Sequence, residues 1–192
     1  MRIIGVVGLA MALAAWTPRA RAQVADDEQA RLGIDRVGSY LSYTWVDHAH
    51  SGWDLGAELD IGSVVTPAAR IVLGLNYLHA EVNRRGALGP ELSSSFHDFS
   101  PTADLRFTLF RWGRMEPFAG AGIGGHFLGN NIAGDAALSD RYEGAKLGAQ
   151  FFGGTAVDLT SDRSWSAYAE LRRIEVPVVA RTTFRLGAFM RL

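Results

Sequence analysis

The stretch Val179-Ala180-Arg181-Thr182-Thr183-Phe184-Arg185-Leu186-Gly187-Ala188-Phe189-Met190-Arg191-Leu192 decides the fold. Successive side chains of an extended chain point to opposite sides, so every second residue shares a face. Phe184, Leu186, Ala188, Met190 and Leu192 fall on one face. Arg181, Thr183, Arg185, Gly187 and Arg191 fall on the other, with Phe189 among them. One face suits hydrocarbon and the other a polar interior, which is the alternation of a strand in a spanning sheet.

Seven earlier segments repeat the pattern. Near Val37 to Val46, Leu41, Tyr43 and Trp45 oppose Tyr40, Ser42 and Thr44. From Trp53 to Val65, Leu55, Ala57, Leu59 and Ile61 oppose Asp54, Gly56, Glu58, Asp60 and Gly62. From Arg70 to Val82, Ile71, Leu73, Leu75 and Tyr77 oppose Gly74 and Asn76. Next, Phe99, Ala103, Leu105, Phe107 and Leu109 oppose Ser100, Thr102, Asp104, Arg106 and Thr108. Pro101 weakens the start of that strand, because it cannot donate to a ladder. Pro117 to Leu128 sets Ala119, Ala121, Ile123 and Phe127 against Gly120, Gly122 and Gly124. In Glu143 to Leu159, Leu147, Ala149, Phe151, Thr155 and Val157 oppose Lys146, Gln150 and Asp158. In Trp165 to Val176, Ala167, Ala169 and Leu171 oppose Tyr168, Glu170 and Arg172.

In hydrocarbon no backbone N–H or C=O can be left unpaired, so a spanning sheet must close on itself. The fold class expected is therefore all-β, an eight-stranded antiparallel up-and-down transmembrane β-barrel over residues 37–192. Its inward set includes Glu58, Asp60, Asp104, Arg106, Lys146, Glu170, Arg172 and Arg185. An eight-stranded interior is just wide enough for side chains to fill, so these charges predict a salt-bridged plug rather than a general diffusion pore. Tyr43, Trp45, Trp53, Tyr77, Trp112, Phe118 and Trp165 fall near strand ends, where interfacial girdles of aromatics are expected. Thr66 to Ala69, Arg111 to Glu116 and Thr160 to Ser164 read as short turns. Asn83 to His97 and Gly129 to Tyr142 read as long polar loops on the opposite, outward side.

The first residues carry an export pattern. Arg2 precedes the uncharged apolar run Ile3 to Trp16, and Ala20-Arg21-Ala22 offers small residues to a signal peptidase. Residues 1–22 are read as a removable signal peptide and 23–36 as a polar lead-in. The leader contributes three arginines and no acid, so its removal takes the formal charge from -1 to about -4. A mildly acidic chain lacks the basic footprint of a nucleic-acid binder. With no cysteine, disulfides, thiolate metal sites and cysteine nucleophiles are excluded. The 22 glycines disfavour helices and suit curved strands.

Two motifs resemble a known group. Arg185-Leu186-Gly187-Ala188-Phe189-Met190-Arg191-Leu192 resembles the C-terminal sorting signal of outer-membrane proteins, with Leu192 where an aromatic is most usual. Pro117-Phe118-Ala119-Gly120-Ala121-Gly122-Ile123-Gly124 is similar to a strand of the small opacity-type and OmpX-like barrels. The resemblance implies residence in the bacterial outer membrane, insertion by the barrel assembly machinery, and contact with outer-membrane lipids and lipopolysaccharide. It is weak for function, since that broad group includes adhesins, complement-evasion proteins and envelope structural proteins.

Some small outer-membrane barrels modify lipid A, and such chemistry needs a base or nucleophile at the rim. His97 and Asp98 beside Ser93, Ser94 and Ser95 are the best placed, with His79 and His126 on neighbouring strands. No His-Ser pair followed by Glu completes the deacylase pattern, and a Ser-rich outward loop is the plainer reading. Asp47-His48-Ala49-His50 sets two imidazoles on one face of an extended segment, but two or three donors make no closed metal site. Gly120 to Gly125 lacks the Lys-Ser/Thr and helix of a phosphate loop. No catalytic, cofactor-binding or metal residues are therefore assigned. The function expected is a non-enzymatic, monomeric outer-membrane barrel acting in envelope structure or surface interaction with an unidentified ligand through loops 83–97 and 129–142. The alternative is a lipid A-modifying enzyme, a deacylase or acyltransferase, with His97 as base. A soluble periplasmic barrel with its apolar faces inward around a ligand is a third reading.

Overall fold

The structure, a computed structural model, describes residues 32–47, 51–84, 92–131, 140, 142–177 and 179–192. The leader and most of the lead-in lie outside the described residues. Eight strands run in chain order: β1 (Leu32–Val46), β2 (Gly52–Ser63), β3 (Ala69–Arg84), β4 (Leu92–Thr108), β5 (Met115–Asn131), β6 (Gly144–Asp158), β7 (Trp165–Glu175) and β8 (Arg181–Arg191). Each pairs antiparallel with its sequence neighbour, and β1 pairs with β8 to close the barrel.

The pairing also sets the stagger. One circuit follows Arg36, Asp60, Val72, Asp104, Gly122, Gln150, Ile174 and Arg181, then returns to β1 at Val46. Val46 lies ten residues beyond the starting Arg36. In an eight-stranded sheet that offset tilts the strands by about 40° from the barrel axis. Residues level with one another inside the barrel are therefore not hydrogen-bonded partners, and long side chains meet across the lumen.

Orientation follows the alternation read from the sequence. Leu147, Leu186 and Leu41 point outward at 79%, 56% and 54% exposure. Glu58, Arg106, Glu170, Arg172 and Arg185 are buried inside. Leu59, Leu105 and Met190 also lie on the outer surface, opposite in sense to the ligand-enclosing soluble barrel. Exposed Trp45, Trp53 and Tyr77 and half-buried Tyr43 cluster towards the loop end. Trp112 and Trp165 mark the turn end, where β1 begins and β8 finishes. Phe118 departs from the girdle expectation and is buried in the lumen, because even-numbered positions of β5 face inward.

Several boundaries differ from the sequence reading. β1 begins at Leu32, so 32–36 belongs to the barrel rather than the polar lead-in. β3 continues to Arg84 and β4 starts at Leu92, which converts 83–84 and 92–97 from loop to strand. Gly129 to Asn131 likewise extends β5. Paired strands satisfy backbone groups even where the side chains are polar, so a polar run in a barrel continues as strand. Pro101 does not interrupt β4: it faces outward, and the same register with β5 resumes at Thr102.

Candidate functional site

The lumen gathers the charged and histidine side chains, and its packing begins with glycine. Interior aromatic rings lie over glycines of the adjacent strand: Tyr40 on Gly56, Phe152 on Gly120, Phe118 on Gly154, Tyr168 on Gly187 and Phe189 on Gly38. A Cβ at Gly120 would stand 2.3 Å from the Phe152 ring and 2.4 Å from the Leu105 carbonyl oxygen. The abundance of glycine thus makes room for rings as well as curvature. Tyr40, Phe118, Phe152, Ala156, Tyr168 and Phe189 form one buried cluster.

Over these rings sits a network of three arginines and three acids. Arg172 donates from Nε to Glu170 (2.7 Å) and from Nη1 to Asp104 (2.6 Å), with its guanidinium 4.2 Å from the Phe152 centroid. Arg106 stands between Glu58 (3.5 Å) and Glu170 (3.6 Å), 4.5 Å from the Phe118 centroid. Arg185 pairs with Glu58 at 3.6 Å and lies 4.2 Å from the Tyr40 centroid. Tyr168 donates to Glu58 and Gln150 donates to Asp104, at 3.0 and 2.5 Å. Charges withdrawn from water are tolerable only with such partners. Nearer the turn end, Asp60 accepts from Arg36 and Arg70 at 3.0 and 2.7 Å, and Arg70 also binds Asp35.

Towards the loop end the composition changes. Asp98 Oδ2 takes His126 Nδ1 at 2.8 Å and Arg181 Nη1 at 2.5 Å, all three side chains being buried. Short polar residues surround them. The Thr44 and Thr183 hydroxyls are 3.1 Å apart, and Asn76 donates to the Ser100 carbonyl at 2.8 Å. Above lies an apolar cap of Val46, Leu78, Ala80, Phe96, Leu128, Tyr142 and Val179, with Phe96 and Tyr142 rings 4.9 Å apart. Aromatic, ionic and apolar layers of buried side chains therefore stand across the lumen, as the sequence-derived plug requires.

The structure separates the sequence's preferred rim pair. His97 and Asp98 are neighbours in one strand, so the pleat sends them to opposite faces. His97 is exposed and lies over Gly129 and beside Tyr77, whereas Asp98 turns inward. His79 is the register partner of His97 and shares its outer face. Ser93 and Ser94 fall within β4, and Ser95 is half-buried. The imidazole that does meet Asp98 is His126, and following the inward parity of β4 and β5 from Asp104 and Gly124 would have found it. Its Nε2 would be 2.8 Å from a Cβ at Gly148, beside Val176, so this edge of the ring faces glycine and an aliphatic side chain. That is a packed, buried pair held by an arginine.

Asp47 makes a two-point contact with Arg173, at 3.0 and 2.6 Å, while His48 and His50 lie outside the described residues. Among the described residues no group of three or more His, Asp or Glu is arranged to hold a metal. Gly120 to Gly125 lies within β5, a strand and not a phosphate loop. Lys146 shares the inward face of β6 with Gly148 and Gln150, but it is half-exposed at the loop end and donates to the Glu143 carbonyl at 3.2 Å, away from the acid network.

Comparison with known proteins places this geometry among small barrels. No family model matches the chain, and no curated protein matches it. Neisserial surface protein A has a similar structure, with a TM-score of 0.61 at 12% identity over 86% of this chain and 100% of that one. The outer membrane protein OprG from Pseudomonas aeruginosa has a TM-score of 0.53 at 12% identity, over 86% and 96% of the two chains. At that identity the likeness establishes the eight-stranded fold.

Proposed function

We propose that this chain is an exported, non-enzymatic β-barrel of the bacterial outer membrane, serving envelope structure or surface interaction. The observation that carries the reading is the inverted distribution of side chains. A closed sheet turns leucines, phenylalanines and tryptophans outward and buries arginines and acids. Water would penalise so large a continuous apolar surface, whereas a bilayer stabilises it. The non-enzymatic part rests on the lumen, where Asp98 and His126 are committed to structural partners beneath an apolar cap.

In this reading the barrel is a rigid, membrane-held platform, and the connections between β3 and β4 and between β5 and β6 carry the surface interaction. Outer-membrane lipids, lipopolysaccharide and the barrel assembly machinery are its contacts. Membrane fractionation with an alkaline wash, followed by gels of heated and unheated samples, tests the location. The protein should stay with the membrane pellet and migrate differently when heated; release into the wash overturns the reading. Mass spectrometry of lipid A with and without the protein tests the absence of catalysis, and a changed acyl pattern would replace it with the enzymatic alternative. Shortening either loop should leave heat-modifiable migration intact and alter surface binding or envelope resistance.

A further inference from the structure

Asp54 is the one acid of the central and upper lumen, among the described residues, whose carboxylate oxygens both lack a hydrogen-bond donor. It is 0% exposed. Its ion pair with Arg185 is long, 3.9 Å, and the same guanidinium group also pairs with Glu58 and Glu170. Each of the other acids has a donor on at least one oxygen, although Asp98 Oδ1 and Glu170 Oε2 have none. Glu58 has Arg106 and Tyr168, Asp104 has Arg172 and Gln150, Glu170 has Arg172, and Asp98 has Arg181 and His126.

The charge balance points to the same place. Asp54, Glu58, Asp98, Asp104 and Glu170 face Arg106, Arg172, Arg181 and Arg185. With all five acids ionised and the His126 imidazole left out of the sum, one negative charge is left over. The His126 imidazole contacts Asp98, which already takes Arg181, so it leaves both Asp54 oxygens bare. The wall beside Asp54 is rich in oxygen. Ser42 is its cross-strand partner and donates to its carbonyl at 3.1 Å. Thr44 follows on the same face of β1, and both hydroxyl-bearing residues are at most 2% exposed.

We propose that the Asp54 carboxylate, with Ser42 and Thr44 on the same inward face of the adjoining strand as further oxygen donors, holds one monovalent metal cation beneath the apolar cap. All-oxygen donors select a hard cation, and a single excess negative charge selects a monovalent one. The site lies between the ionic network and the cap, so the ion is a bound structural component and not a stage in free conduction.

The full mature chain, folded in detergent, is crystallised in thallium(I) acetate, and its anomalous scattering is mapped. A peak touching the Asp54 carboxylate is the expected result. Water density alone, or a peak only elsewhere, overturns the proposal, and this arm needs no variant. In parallel, urea midpoints are compared in sodium chloride and choline chloride at equal ionic strength. Sodium should raise the midpoint in a saturating manner. Asp54→Asn, which keeps the shape, should abolish the difference, and Ser42→Ala should reduce it. A sodium effect that survives Asp54→Asn unchanged also overturns the proposal.

Discussion

Arg106, Arg172 and Arg185 in the central lumen each bridge at least two carboxylates and lie over an aromatic ring. Near the loop end, Asp98, His126 and Arg181 form a single small cluster under aliphatic and aromatic side chains. Both regions are built by the same alternation inside the same closed sheet. The difference lies in how a loss propagates. In the central network one missing arginine strands several buried acids, whereas in the cap a missing side chain leaves a void lined by apolar groups. The central region therefore locks the barrel, and the upper region closes its mouth.

The largest effect should come from the lock. Arg172→Ala leaves Glu170 and Asp104 without their principal cation, and breaking a buried pair costs about 3–5 kcal/mol. Urea unfolding in lipid vesicles measures this, and a double-mutant cycle with Glu170→Ala should show strong coupling. If the loss is no greater than that of a cap substitution, the distinction between the regions fails. Leu78→Ala in the cap, where Leu78 is 1% exposed, should cost about 2–3 kcal/mol through burial lost and cavity formed. Planar-bilayer recordings of this variant should stay closed, because the central network still crosses the lumen. Conductance steps in Leu78→Ala alone would assign the barrier to the cap.

A smaller effect tests the glycine seats. Gly120→Ala would push a methyl into the Phe152 ring and the Leu105 carbonyl, costing about 1–3 kcal/mol by overpacking. Gly33→Ala meets nothing within 4 Å and serves as the neutral control. The smallest change belongs to the turn after β6. Hydrogen bonds from Thr160, and from the Ser164 amide and hydroxyl, hold the exposed Asp162 carboxyl down at about 2. A depressed folded-state value contributes stability above the unfolded value near 3.8, and that contribution fades as pH falls towards 2. Asp162→Ala should flatten the urea midpoint slightly over that window and leave it unchanged near neutrality.

The same contrast explains how much was legible before the structure. Side-chain parity is local, so Leu55, Asp54, Leu105 and Arg106 could be given their faces from spacing alone. Glu58, Asp104, Glu170, Arg172 and Arg185 were legible as a plug for that reason. Phe118 was misread because nearness to a strand end outweighed its parity, although even-numbered positions of β5 already pointed inward. His97 and Asp98 were grouped because adjacency in sequence resembles proximity in a loop. Once that segment is strand, adjacency means opposite faces.

By itself the chain determined eight amphipathic strands, their inward and outward faces, and the closure that hydrogen bonding demands. Those properties depend on neighbours two residues apart and on the rule that backbone groups must be paired. Only the tertiary structure decided that Asp98 meets His126 and Arg181, that Arg172 spans Glu170 and Asp104, and that Asp54 is left without a donor. Such contacts depend on the ten-residue stagger around the barrel, a property of all eight pairings together. A shift in that stagger would leave each strand's alternation intact and give every side chain in the lumen new neighbours.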